Sequence, residues 1–200
     1  MVDSIIIVVG IPGSGKSSAL EGVEAETGAV VISVGTEMAK KGGVADRDTL
    51  RKEADAEEKA AVLRRRVLED ALDSDAKTII LDTHAVVKTS SGYMEGFSED
   101  DMKMLEGKVK AVIYVHADAP EIIKRRQKDA GRQRDGETEP EVEAQQRMSE
   151  DLCLKISARL GAKLYGIDGT KASKEEVRDE MRSIIKEAIG TDKRRAKTHA

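Results

Sequence analysis

The segment Gly10-Ile11-Pro12-Gly13-Ser14-Gly15-Lys16-Ser17 constrains this chain more than any other. It reads G-x-x-x-x-G-K-S. It follows the unbroken apolar run Ile5 to Val9 and opens a stretch, Lys16 to Glu26, that predicts a helix. Strand, glycine-rich turn and helix in that order form the setting in which this pattern cradles phosphate. Glycines let the backbone wrap closely and turn successive N–H groups inward. The helix N-terminus adds a favourable dipole for an anion. In such a loop Lys16 reaches the outer phosphates of a nucleoside triphosphate, and the Ser17 hydroxyl is a candidate Mg²⁺ ligand.

The rest of the chain alternates apolar runs with amphipathic stretches. Strands are predicted at 5–9, 29–34, 78–81, 109–116 and 163–167. Near-continuous apolar strands separated by helices imply an α/β fold, with a parallel sheet covered on both faces. Asp55 with Glu58, and Ser173 with Glu176, read as helix starts with capping partners. Asp118 before Ala119-Pro120-Glu121 reads as another. The last of these helices, carrying Val177, Met181, Ile184, Ile185 and Ala188 on one face, is expected to stop at Gly190. Residues 191–200, with Lys193-Arg194-Arg195, read as a basic, flexible tail. A length of 200 residues suits one domain spanning 1–190, and the 39% apolar content suffices for one core. Because aromatics are only 2%, aliphatic side chains must fill it.

Charge narrows the function class. Charged residues make up 36% of the chain, yet the net charge is only -4, which argues against a dedicated nucleic-acid binder. Cys153 is the single cysteine, so neither an intrachain disulfide nor a zinc cluster is expected, and a helical core position is. No apolar run is long enough for a membrane span. No basic, then apolar leader precedes Ile5, and a cytoplasmic protein is the expectation.

Asp82 ends the third apolar strand, where a second acidic element would help hold Mg²⁺. Thr83, not a carboxylate, follows it, which lowers the case for a hydrolytic switch. His84 and Lys88 come next, at the carboxyl edge of the sheet, where open α/β sheets bind ligands. Lys88 is a candidate for an acceptor phosphate and His84 for a hydrogen bond to it. Arginines fall in two groups, Arg47 with Arg51, and Arg125, Arg126, Arg132 and Arg134. A kinase acting on a phosphate must overcome repulsion between two anions, and fixed cations do that. On the residues alone a solvated basic surface remains an alternative for these arginines.

The pieces Gly10 to Ser18, Gly35-Thr36, Asp46 to Lys52, Asp82 to Thr89 with Gly92-Tyr93, and Arg125-Arg126 through Arg132-Gln133-Arg134-Asp135 resemble the archaeal-type adenylate kinases. These are a branch of the P-loop nucleoside monophosphate kinases. The resemblance covers about residues 5 to 190. It implies a three-layer P-loop fold with a five-stranded parallel core, an NMP-binding flap over 33–75 and a short lid over 128–140. It implies that Gly10, Ile11, Pro12, Gly13, Ser14, Gly15, Lys16, Ser17 and Ser18 bind ATP, and that Ser17 and Asp82 serve Mg²⁺. Thr36, Arg51, His84 and Lys88 would meet AMP, while Lys16, Arg126, Arg132 and Arg134 would act on the phosphates in transit. The implied reaction is reversible transfer from ATP to AMP, giving two ADP. Relatives are often trimers, so a homo-oligomer is expected. The chain departs from the family at Ser90, Glu95 and Ser98, where prolines are usual, and at Gln145-Gln146, where His-Gln is usual. CMP or UMP as acceptor, and a nucleotide-gated RNA or ribosome-assembly factor, are the alternatives.

Overall fold

The structure, a computed structural model, describes residues 1–44, 56–89, 92–128 and 137–198. Its main sheet holds β1 (Ser4–Val9), β2 (Val30–Ser33), β3 (Thr78–Thr83), β6 (Val109–His116) and β7 (Lys163–Asp168). Their order is β2-β3-β1-β6-β7 and every pairing is parallel. This is the expected five-stranded sheet, with each strand within a few residues of its predicted bounds. Helices α1 (Lys16–Leu20), α2 (Val23–Thr27) and α3 (Val34–Gly42) precede α4 (Ala56–Leu72). Next come α5 (Glu99–Leu105), α6 (Ala119–Lys128), α7 (Glu139–Leu160) and α8 (Lys174–Thr198).

Alternation along β1 explains why its sequence is continuously apolar from Ile5 to Val9. Ile5, Ile7 and Val9 face one core, with Val67, Leu68 and Ala71 of α4, Met102 and Leu105 of α5, and Cys153, Ile156 and Leu160 of α7. Ile6 and Val8 face the other, with Ala19, Leu20 and Val23 and with Val177, Met181, Ile184, Ile185 and Ala188 of α8. Both faces are dry, so the positions from Ile5 to Val9 are all apolar, and the one polar residue, Ser4, stands at the start of the strand. Cys153 sits in the first core, as expected of a small apolar residue.

Three local features differ from expectation. The helix predicted over 16–26 is two short helices, because Glu21 is extended and Gly22 takes a positive φ of 77°. The last helix does not stop at Gly190 but runs to Thr198. Glycine lowers helix propensity by only about 1 kcal/mol, and Gly190 keeps a φ compatible with the helix. Third, β4 (Val86–Thr89) and β5 (Gly92–Glu95) form an antiparallel hairpin separate from the main sheet. It returns past β3 because Gly96 has no side chain: a Cβ there would overlap the His84 carbonyl. The Ser173–Glu176 capping box is present, with Ser173 N donating to Glu176 Oε2 at 2.7 Å and Glu176 N to Ser173 Oγ at 3.2 Å. Asp55 lies outside the described residues.

Candidate active site

The P-loop joins β1 to α1 at the carboxyl edge of the sheet. Gly13 and Gly15 adopt φ of 86° and 108°, values that a side chain disfavours. Lys16 opens α1 and is buried, and its chain curls back over the loop. Its Nζ donates to the Gly10 carbonyl at 2.7 Å and lies 3.7 Å from Asp82 Oδ1, too far for a hydrogen bond. His84 closes the same corner, with Nδ1 at 2.7 Å from the Gly10 carbonyl and 3.3 Å from Lys16 Nζ. The tautomer decides which contact is a hydrogen bond: a protonated Nδ1 donates to the Gly10 carbonyl, and a bare one accepts from Lys16.

Helix α6 brings the arginines. Arg126 is buried, and its Nε donates to the Pro12 carbonyl at 2.8 Å. Its Nη1 pairs with Glu137 Oε2. Arg125, one position earlier, also lines the cleft but spends its nitrogens on backbone carbonyls, bracing the loop. It donates to the carbonyls of Gly13 and Ser14 at 3.4 and 3.3 Å, and to that of Gly169, after β7, at 2.7 Å. Hydrogen bonds from Lys124 first, then from Arg125, hold the Glu121 carboxyl below its ordinary range. Lys88, on β4, reaches Glu137 Oε1 at 3.3 Å.

A cleft of about 1130 Å³ runs along this edge. It is lined by residues 11–18 of the P-loop, by Ser33 and Thr36, by Asp82 and His84, and by Arg125 and Arg126. This is at the top of the range of about 300–1,000 Å³ usual for a ligand pocket, and slightly above it. Three of its lining residues carry a buried polar atom without a hydrogen-bond partner among the described residues: Ser14 Oγ, Asp82 Oδ1 and Arg126 Nη2. Each such atom costs about 1–3 kcal/mol unless a ligand satisfies it. A hydroxyl, a carboxylate and a guanidinium in one cleft suit phosphate together with a hard cation. The unsatisfied Asp82 oxygen with the Ser17 hydroxyl fits Mg²⁺, which takes one or two protein oxygens and fills its other positions from water and phosphate.

The structure thus gathers Lys16, Ser17, Asp82, His84, Thr36 and Arg126 around one cleft. Lys88 stands beside it, joined to Arg126 through Glu137. Arg47, Arg51, Arg132 and Arg134 lie outside the described residues. Sequence reasoning missed Glu137 and the bracing use of Arg125. Nothing in the local sequence marks either, since both roles come from tertiary contacts.

Comparison with known proteins agrees with this geometry. Residues 9–143 match the family described as AAA domain. The chain is 30% identical to an adenylate kinase of Methanothermobacter thermautotrophicus over 191 residues, covering 90% of this chain and 98% of that protein. It is 30% identical to an adenylate kinase of Thermococcus sibiricus, covering 94% and 98%. It is 35% identical to one of Pyrobaculum aerophilum over 149 residues, covering 70% and 72%. Among solved structures, a shikimate kinase of Acinetobacter baumannii has a TM-score of 0.58 at 18% identity, covering 94% of each chain. A gluconokinase of Sinorhizobium meliloti has a TM-score of 0.55 at 16% identity, covering 92% of this chain and 91% of its own. At such identities the likeness concerns the fold alone. A P-loop facing an unsatisfied cluster of phosphate-type partners, and two relatives at 30% identity matched over 98% of their length, lead to one conclusion: the chain belongs to the archaeal-type adenylate kinases, which are phosphotransferases.

Proposed function

We propose that the cleft binds ATP through residues 10–18 and AMP through Thr36, Arg51, His84 and Lys88, and that it transfers the terminal phosphoryl group of ATP to AMP, giving two ADP. The observation that carries this reading is the trio of buried atoms without a hydrogen-bond partner, Ser14 Oγ, Asp82 Oδ1 and Arg126 Nη2, beside a buried Lys16. The acceptor phosphate is already a nucleophile, so a general base is not required. What the site must supply is compensation for two like charges brought together. Lys16 and Arg126 do this, Lys16 from the first turn of α1 and Arg126 from a side chain anchored on the P-loop backbone. Arg132 and Arg134, from a lid over 128–140, would add to them. The NMP flap belongs to 33–75, and within it Val67, Leu68 and Ala71 pack into the main core.

Ser17 and Asp82 would hold Mg²⁺, which when bound neutralises charge on the phosphates. No helix among the described residues is long and apolar enough to cross a membrane. A cytoplasmic location and a homotrimer complete the proposal, the latter on family resemblance.

The test is a coupled assay offering ATP with AMP, CMP, UMP or no acceptor. ADP should form only when a monophosphate is present, and fastest with AMP. Lys16→Ala should lower turnover by about 10²–10³, the scale of one lost transition-state donor. ADP formation that ignores the acceptor, or none with any monophosphate, would overturn the reading.

A further inference from the structure

Glu137 is the residue of this region that the proposed chemistry leaves unused. Its carboxylate meets two cations at once, Arg126 through Oε2 and Lys88 through Oε1. Those cations come from different elements, α6 and the β4–β5 hairpin, and Glu137 lies just before α7. The junction is well shielded on the arginine side, since the side chain of Arg126 is only 6% exposed and that of Glu137 19%. An ion pair so placed is less screened than one on the surface.

The guanidinium of Arg126 has three nitrogens, and the described residues account for two. Nε is held by the Pro12 carbonyl and Nη1 by Glu137. With two edges of a planar group fixed, the third cannot choose its direction. That third nitrogen, Nη2, is buried and unpartnered, on a residue that lines the cleft. A donor aimed before the reaction needs no reorganisation during it, which is the condition for electrostatic catalysis. The same carboxylate also lowers the cost of burying Arg126 and keeps Lys88 close to it despite their like charge.

We propose that Glu137 is a positioning residue: it orients Arg126 for the transferred phosphoryl group and ties that cation to Lys88, the cation of the acceptor side. The proposal rests on the phosphoryl-transfer reading above. It assigns Glu137 no contact with either nucleotide.

The experiment compares wild type, E137A, E137Q, R126M and R126M/E137A by steady-state kinetics with ATP and AMP. ATP affinity is measured separately by calorimetry. E137A should lower kcat by about 10- to 100-fold, the scale of a catalytic group displaced by about 1 Å. ATP affinity, set by the P-loop, should stay within about twofold, which also reports that the variant is folded. E137Q keeps an oxygen for Nη1 and should recover part of the loss. In the R126M background E137A should have little further effect, because residues acting as a unit are not additive. E143Q, an exposed glutamate on α7, serves as a control for charge alone and should behave as wild type.

Parental kcat in E137A, or a penalty that multiplies in full with that of R126M, overturns the positioning role. A wild type that forms no ADP from AMP overturns the phosphoryl-transfer reading and this proposal with it, so the two failures are distinguished by the first column of data.

Discussion

Arg64 of α4 and Asp101 of α5 form a buried ion pair far from the cleft's chemistry, and it makes a quantitative prediction about stability. Arg64 is 6% exposed and Asp101 2%. Arg64 Nε donates to Asp101 Oδ2 at 2.7 Å, and the same oxygen accepts from Ser98 N and Ser98 Oγ, each at 2.7 Å. Asp101 N donates back to Ser98 Oγ at 3.2 Å, completing the capping box that starts α5. Removing one partner of a buried pair costs about 3–5 kcal/mol, because the other charge remains. The two partners should not be equivalent. Arg64→Met leaves Asp101 with its two Ser98 donors, so the lower value, about 3 kcal/mol, applies. Asp101→Ala strands the arginine and removes a cap worth about 1 kcal/mol, so about 5 kcal/mol applies. For a chain of 200 residues, 1 kcal/mol moves Tm by about 2–4 °C. Differential scanning calorimetry should therefore show Tm falling by about 6–12 °C in Arg64→Met and by about 10–20 °C in Asp101→Ala. A Tm within 2 °C of wild type in Arg64→Met, or a smaller loss in Asp101→Ala than in Arg64→Met, would refute the reasoning.

Two further predictions concern packing and pH. Gly96→Ala places a methyl group on the His84 carbonyl and should cost about 1–3 kcal/mol, measured as a lowered denaturant midpoint; an unchanged midpoint would mean the hairpin has room there. Burial above all pushes the Cys153 thiol up to about 12. The unfolded chain loses that proton near pH 9 while the fold keeps it, so the stabilisation is complete below pH 9. It is lost at about 1.4 kcal/mol per pH unit as pH rises toward 12. Tyr114, raised chiefly by burial, adds the same sign above its ordinary range. Denaturant melts from pH 8 to 11 should show a steep alkaline limb that Cys153→Ala makes shallower; an unchanged slope would exclude the thiol as its source.

The central strands β1, β3 and β6 were legible because both faces of the sheet are buried there. That condition writes itself as uninterrupted apolar runs, and Ile5 to Val9 could be little else. The β4–β5 hairpin was not legible, since Val86-Val87-Lys88-Thr89 and Gly92-Tyr93-Met94-Glu95 are short, mixed and partly exposed. In the site, Lys16 and Asp82 are fixed by local context, one by the loop motif and the other by the end of a strand. Arg125 and Arg126 show the limit. Adjacent helical residues point about 100° apart, so a pair of arginines announces a cation without saying which one serves the cleft. Only the packing of α6 on the P-loop decides that Arg126 takes Pro12 while Arg125 reaches across to Gly169. Glu137 is further from reach, being one of 38 acidic residues until the fold sets it between two cations.

How the cations are held bears on how the site can exchange phosphate. Lys16 is hydrogen-bonded to a neutral carbonyl, that of Gly10, and stays 3.7 Å from the carboxylate of Asp82. A charged acceptor makes a stronger hydrogen bond than a neutral one, so a phosphate oxygen can draw Lys16 Nζ away at little cost. The same spacing leaves Asp82 Oδ1 unspent for a hard cation. Had the two closed into a tight salt bridge, binding would first have to break it, and both partners would be lost to the substrate. Arg126 follows the opposite rule. It is fixed by a carbonyl and a carboxylate and keeps one nitrogen open. Lys16, held by a neutral carbonyl, can thus turn to a phosphate, while Arg126 stands still. A reaction that moves a phosphoryl group between two nucleotides, in either direction, needs both kinds.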